Sequence, residues 1–226
     1  MSVPRHLYHF PLCPFSRKVR ILLREKQLSF ELVTENVWER RPEFMRMNPA
    51  GDLPVLLEQE GVLIKDHNAI CEYLHEYYQD LNLLGKSIAQ RAEVRRVMGW
   101  FDRKFYHEVS GPLLHEKYFK YFYTSSAEPN SQAIRAAKTN LLAHLDYITH
   151  LIRERRCLAG ENFSLADIAA VSHLSVLDYL GDIQWDDHPV AKDWYAIIKS
   201  RPSMRPVLHD RIPGFVPPAH YVLLDF

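Results

Sequence analysis

Two neighbouring stretches decide how this chain folds: Asp52-Leu53-Pro54-Val55-Leu56 and Asp66-His67-Asn68-Ala69-Ile70-Cys71-Glu72-Tyr73-Leu74. In the first, Pro54 leads an apolar run, Pro54-Val55-Leu56-Leu57-Glu58. That run pairs as a hairpin with Val62-Leu63-Ile64 around Glu60-Gly61. An X–Pro bond gives up only ~0.5–1 kcal/mol on going cis, so packing alone holds a turn at Pro54. In the second, Asp66 opens a helix that runs from about Asn68 to Tyr78. The N-terminus of such a helix offers amides and a dipole to an anion. His67 stands at that opening.

Upstream, Leu7-Tyr8-His9-Phe10 reads as a short strand ending at Pro11. Pro14 then fits the first turn of a helix, where its missing N–H is no loss. Ser16 to Lys26 carries Val19, Ile21, Leu22 and Leu23 among basic residues, as a helix packed on one side does. Phe30-Glu31-Leu32-Val33 alternates like a second strand. Asn36 to Asn48 is polar, with Trp38, Phe44, Met45 and Met47, and predicts a loop plus a short helix. The order βαβ, then α, then ββα predicts an α/β, thioredoxin-like domain over residues 1–80.

Leu81 to Gly85 reads as a linker, and residues 87–206 as an all-helical domain. One long or kinked helix runs from Ile88 through Phe101 to about Tyr123, and Thr124 to Asn130 is a polar loop. Ile134, Ala137, Leu141, Leu145, Ile148 and Ile152 recur at steps of three or four, an amphipathic stripe. Ser164-Leu165-Ala166-Asp167 is a capping-box variant, with Phe163 and Ile168 at the two staple positions. Such a cap contributes about 0.5–2 kcal/mol, so its first task is folding. The helix it opens, Ala166 to Leu180, is apolar on nearly all sides and predicts the buried centre of its domain.

Composition narrows the function. The 226 residues hold 28 Lys plus Arg and 28 Asp plus Glu, a net charge of +0, which gives no electrostatic footprint for nucleic acid. Cys13, Cys71 and Cys157 are too few and too dispersed for a disulfide framework. The 12 histidines show no metal-ligand spacing. Residues Met1 to Phe10 lack the apolar core of a signal peptide, and no apolar run approaches the ~20 residues of a spanning helix. The expected setting is a reducing cytoplasm, with no metal, no nucleic acid and no membrane insertion.

The layout around Pro54 and Asp66 resembles the glutathione transferase family, as does Gly160-x-x-x-Ser164-x-x-Asp167 in the helical half. The likeness spans about residues 5 to 205, both halves in the right order. It implies a glutathione transferase fold, usually a homodimer, with a cis bond before Pro54. It also implies that the backbone at Leu53 pairs with the cysteinyl part of glutathione. In the family an acidic residue and a serine open the third helix, and the serine holds the γ-glutamyl carboxylate. Here Asp66 keeps the acid, but His67 replaces the serine. A hydrogen bond to a charged group contributes about 1.5–3 kcal/mol. Its loss predicts binding weakened by ~10–150-fold, and the larger ring blocks the pocket. Against this, a protonated imidazole, ordinarily titrating near ~6.5, would attract the carboxylate. The expected outcome is a vestigial site (Cys13, Leu53, Pro54, Asp66, His67) with weak or absent glutathione binding and no cofactor.

Cys13-Pro14-Phe15-Ser16 leaves an enzymatic alternative open. Cys13 falls at a helix N-cap, where a thiol pKa drops from ~8.5 into the ~3.5–7.5 range. The motif resembles omega-class and glutaredoxin-like members, which implies a glutathione-dependent omega- or zeta-like transferase or thiol transferase with Cys13 as nucleophile. The bland reading is that Cys13 merely begins a helix.

The tail, residues 207–226, is rich in proline and aromatic groups: Asp210-Arg211-Ile212-Pro213-Gly214, then Pro217-Pro218, His220-Tyr221 and Leu224-Asp225-Phe226. Prolines favour an extended, low-entropy chain suited to docking. The dock is either its own helical domain or a partner's groove. With the altered anchor, the tail is similar to that of the FtsZ-localised, cell-division branch of the family in alphaproteobacteria. That resemblance implies a non-catalytic homodimer at the division site. It would bind FtsZ polymers, change their curvature or bundling, and reach further division proteins through the tail. The expected contact residues are Trp38, in a polar stretch, Tyr118 and Phe119, in an aromatic run that cannot all face one core, and Tyr221, Leu224, Asp225 and Phe226.

Overall fold

A computed structural model describes residues 4–123 and 128–224. Four strands, β1 (His6–His9), β2 (Glu31–Thr34), β3 (Val55–Leu57) and β4 (Leu63–Lys65), form one sheet in the order β2-β1-β3-β4. β1 runs parallel to β2, and β3 runs antiparallel to both β1 and β4. Helices α1 (Pro14–Glu25), α2 (Pro42–Met47) and α3 (His67–Tyr77) complete the first domain. The Leu53–Pro54 bond is cis. Each element lies within a residue or two of where the apolar periodicity puts it.

The second domain is helical, as expected. α4 (Ile88–Gly99) continues without a break through a π-helical stretch, Trp100–Ser110, into α5 (Gly111–Leu114). A second π stretch, His115–Phe119, leads to α6 (Lys120–Tyr123). The long helix is therefore one continuous rod whose pitch changes along its length. Gly111 permits the close approach after the first π stretch, because a Cβ there would sit 2.7 Å from the Tyr106 carbonyl oxygen. α7 (Ser131–Glu154) buries the predicted stripe at Ala137, Leu141, Leu145 and Ile148. α8 (Leu165–Tyr179) is buried at every residue, and its N-terminus carries the full capping box of Ser164 and Asp167. α9 (Pro189–Lys199) and α10 (Arg205–Leu208) close the domain. Among the described residues, no helix is long and apolar enough to cross a membrane.

The two domains share a core. α1 packs on α8, and the apolar cluster runs unbroken from Leu7 and Leu22 to Ile168 and Trp194. Buried polar groups stitch the same boundary. The Arg17 guanidinium donates to Ser175 Oγ at 2.9 Å, and Arg20 makes a two-pronged pair with Asp210 at 2.6 and 2.8 Å. Glu25 accepts from Arg201 at 2.7 and 2.8 Å. Such fork-to-carboxylate pairs fix angle as well as distance, so the cleft between the domains has one geometry.

Candidate functional site

The cleft begins at the N-termini of α1 and α3. Asp66 takes a left-handed backbone conformation (φ 72°) and caps α3, accepting from the amides of Asn68 at 2.8 Å and Ala69 at 3.0 Å. Two of the amides at this helix opening are thus already bonded to the chain's own acid. His67 is the first residue of α3, and its ring turns inward. It stacks on Phe15 at 4.2 Å between centroids, and its Nδ1 accepts from Lys18 Nζ at 2.7 Å.

Lys18 explains that contact. It is fully buried on α1, and an ammonium there needs acceptors. Its three protons go to His67 Nδ1, to Asn68 Oδ1 at 3.1 Å and to Asp102 Oδ2 at 2.6 Å. Asp102 projects from the π stretch, and its other oxygen lies 3.6 Å from His173 Nε2 on α8. Ser110 Oγ is 2.8 Å from His173 Nδ1. One cation and one carboxylate, with two imidazoles beside them, therefore bridge the two domains. Burial pushes the His67 imidazole down, the Lys18 ammonium pushes it further, and it settles at about 4. Burial alone would raise the Asp102 carboxyl, but Lys18, with the His173 imidazole close by, holds it well below the usual carboxylate range.

These values correct one expectation. A protonated His67 that attracts a carboxylate is not what this corner contains: the ring is neutral near pH 7 and faces a cation. Nor is Cys13 activated. It does sit at the N-cap of α1, with Sγ accepting from the Ser16 amide at 3.4 Å and lying 3.8 Å from the Leu53 carbonyl. Burial nevertheless raises the Cys13 thiol, outweighing the bonds from Ser16 that lower it. Cys13 meets Leu53, and His67 meets Phe15 and Lys18, so the residues expected to form the altered site converge at the N-termini of α1 and α3.

A second cluster lies across the domain boundary. The Trp38 ring stacks on Phe122 at 4.2 Å and meets Phe10 edge-on at 5.2 Å. Phe119 is 6.0 Å from Trp38, and Tyr118 is 6.4 Å away. The two stretches expected as separate contact surfaces are therefore one aromatic ridge. Trp38 and Phe119 are half-buried, while Tyr121, Phe122 and Tyr123 are exposed. Tyr118 is a correction: it is buried and serves as the floor, touching Phe10 and Phe215.

The tail docks on its own helical domain as far as Tyr221. Tyr179 Oη accepts from the Ile212 amide at 3.0 Å and donates to the Phe215 carbonyl at 2.9 Å. His220 Nε2 lies 2.9 Å from the buried Asp178 carboxylate, and Lys199 Nζ donates to the His220 carbonyl at 2.9 Å. Tyr221, expected to face a partner, is 0% exposed and packs edge-on against Tyr179 at 5.1 Å. Val222, Leu223 and Leu224 are exposed, and Asp225 and Phe226 lie outside the described residues.

Sequence reasoning missed Lys18, Asp102 and His173. Only His173 carried a signal, as a polar residue in the helix read as the buried centre of its domain; Lys18 is one of several basic residues on a one-sided helix, and Asp102 lies in the long helix with no pattern to mark it.

Comparison with known proteins agrees with this architecture. Residues 7–81 match the family profile of the glutathione S-transferase N-terminal domain, and residues 113–202 match that of the C-terminal domain. The chain is 49% identical over 229 residues to FtsZ-localized protein A of Caulobacter vibrioides, covering 100% of both chains. It is similar to the structure titled FzlA from C. crescentus (TM-score 0.95, 48% identity, 99% of this chain and 100% of that one). It is also similar to a structure titled as a glutathione S-transferase from Rhodospirillum rubrum (TM-score 0.95, 52% identity, 98% and 100%). With both domains matched in order and a full-length relative at this identity, the chain belongs to the glutathione S-transferase family.

Proposed function

We propose that this chain is a non-catalytic adaptor that binds FtsZ polymers as a homodimer and regulates their curvature or bundling during constriction. The observation that carries the reading is the end-to-end likeness, at 49% identity, to a protein named for its localisation with FtsZ. The site chemistry supports it. The His67 ring occupies the ligand corner, neutral and stacked on Phe15, and Asp66 takes up the Asn68 and Ala69 amides of α3. The aromatic ridge supplies the contact surface: Trp38 and Phe119 are its anchors and Phe122 its exposed face, in keeping with the weight of tryptophan in interface hot spots. The end of the tail, Leu224, Asp225 and Phe226, serves further division proteins at the division site.

Co-sedimentation with polymerised FtsZ tests the reading. The folded chain pellets with polymer, and a Trp38→Ala variant does so far less; a folded wild type left in the supernatant refutes it. The enzymatic alternative rests on the place of Cys13 at the α1 N-cap. Titration calorimetry with glutathione separates the two. Micromolar binding would favour a thiol transferase, and no heat at millimolar ligand disposes of it.

A further inference from the structure

β2 is the outer strand of the sheet. Its inward groups are paired: the Glu31 amide donates to the Arg5 carbonyl at 2.8 Å, and the Glu35 amide to the His9 carbonyl at 2.9 Å. Alternate residues of a strand direct their amides and carbonyls to opposite sides. Leu32 and Thr34 therefore aim theirs away from the sheet. Both residues are exposed, Leu32 to 43%. An apolar side chain on an open edge is what natural sheets usually avoid.

Beside this edge, between the two domains, lies a cavity of about 230 Å³. Leu32 and Phe30 line one wall, Arg20 and Arg24 another, and Pro206 and Val207 the far side. Phe30 and Leu32 are two apart, so both face α1. The two arginines differ. Arg20 is taken up by Asp210, whereas Arg24 is exposed, lies 5.0 Å over the Phe30 ring, and pairs with no carboxylate among the described residues.

We propose that this edge and cavity form a docking site for an extended acidic peptide, which adds to the sheet alongside β2. Backbone groups of Leu32 and Thr34 bond the added strand, which supplies affinity without sequence preference. Selectivity comes from the side chains on its inner face. An apolar one enters the cavity, and a carboxylate two residues away reaches Arg24, because positions i and i+2 of a strand share a face. The commitment to an acidic partner follows from Arg24, an exposed cation lining the cavity that pairs with no carboxylate among the described residues. The cavity shares no lining residue with the aromatic ridge, and the proposal stands whether or not FtsZ is the ridge's partner.

The test uses the full chain and a labelled, blocked peptide, Thr-Val-Thr-Leu-Thr-Asp-Thr, followed by fluorescence anisotropy. Two controls change only geometry or charge: one places Leu and Asp next to each other, on opposite faces, and one replaces Asp with Lys. The parent peptide is expected to bind at least about tenfold tighter than either control, the usual weight of one well-placed contact. Arg24→Glu should abolish that preference and favour the Lys peptide. Leu32→Lys should weaken the parent about tenfold. Amide exchange at Leu32 and Thr34 should slow on peptide addition. Equal affinity for the three peptides overturns the proposal, as does an Arg24→Glu variant that binds like wild type. Protection of the two amides that rises with protein concentration alone also overturns it, since the occupant would then be a second copy of this chain.

Discussion

The corner at His67 and the ridge at Trp38 both lie on the boundary between the domains, and both are made of aromatic rings and charged groups. They differ in where the charges stand. At His67 the cation is inside: Lys18 is buried, and its three protons are spent on His67, Asn68 and Asp102. The aromatic ring of Phe15 closes over that network. At Trp38 the rings form the surface, and an ion pair next to it in the chain reaches outward, with the exposed Arg41 paired to the buried Glu35 at 2.5 Å. The first region has turned inward and become part of the fold. The second presents apolar area that its own chain covers only in part.

The difference is most easily broken at Lys18. Lys18→Met leaves Asp102 buried without its cation, and removal of one partner of a buried pair costs about 3–5 kcal/mol. Chemical denaturation should show that loss. The Lys18→Met, Asp102→Leu double variant should recover much of it, because no buried charge then remains. A single variant as stable as wild type would mean that the network is not structural.

Tyr221 gives an effect of similar size. Truncating a fully buried aromatic to alanine costs about 3–5 kcal/mol, whereas Tyr221→Phe removes only the 3.3 Å bond from its hydroxyl to the Val207 carbonyl, at about 1 kcal/mol. Thermal melts of the two variants check this. Equal, small effects would return Tyr221 to the role of a partner contact.

The pH dependence sharpens the reading of His67. Its folded value is about 4 against an ordinary 6.5. Between those values the unfolded chain binds a proton that the folded chain excludes, so stability falls as pH drops from 6.5 to 4. At neutral pH the ring is neutral in both states and the effect is small; the loss reaches on the order of 2–3 kcal/mol between pH 7 and pH 4.5. His9, buried beside Arg20 and lowered to about 3, acts in the same direction and continues to a lower pH. The drop in denaturant midpoint between pH 7 and pH 4.5 should be smaller in a His67→Asn variant than in wild type. An equal drop would show that His67 is not the titrating group.

Trp38→Ala should lose little stability, under about 1 kcal/mol, because the side chain is only half-buried. It should weaken co-sedimentation with FtsZ by about tenfold or more. The smallest stability effect belongs to Leu224→Lys, an exposed position expected within about 0.5 kcal/mol of wild type by melting. A large loss there would mean that the end of the tail is docked like Tyr221.

Much of the fold is legible in the amino-acid sequence. The strand and helix order of the first domain, the stripe of α7 and the capping box at Ser164 and Asp167 follow from patterns two to four residues long, and those patterns are local. The candidate site is legible only as a set of residues. Cys13, Leu53, Pro54, Asp66 and His67 do converge, but the direction of the His67 ring depends on Lys18, 49 residues away along the chain, and Lys18 depends in turn on Asp102, 84 residues further from it. The same limit misplaced Tyr118 and Tyr221. Tyr118 stands in an aromatic run that cannot all face one core and Tyr221 in a proline-rich stretch, and both are floors on which other rings rest.

Residue type and short-range period therefore establish the family architecture, the two domains, the tail, and the replacement of a small hydroxyl by an imidazole at the opening of α3. Three further features come from tertiary packing alone: the neutrality of that imidazole, the upward push of burial on the Cys13 thiol, and the merging of Trp38 with Phe119 and Phe122 into one ridge. Each is a property of groups distant in sequence and close in space, because burial and neighbouring charge act through space and not along the chain.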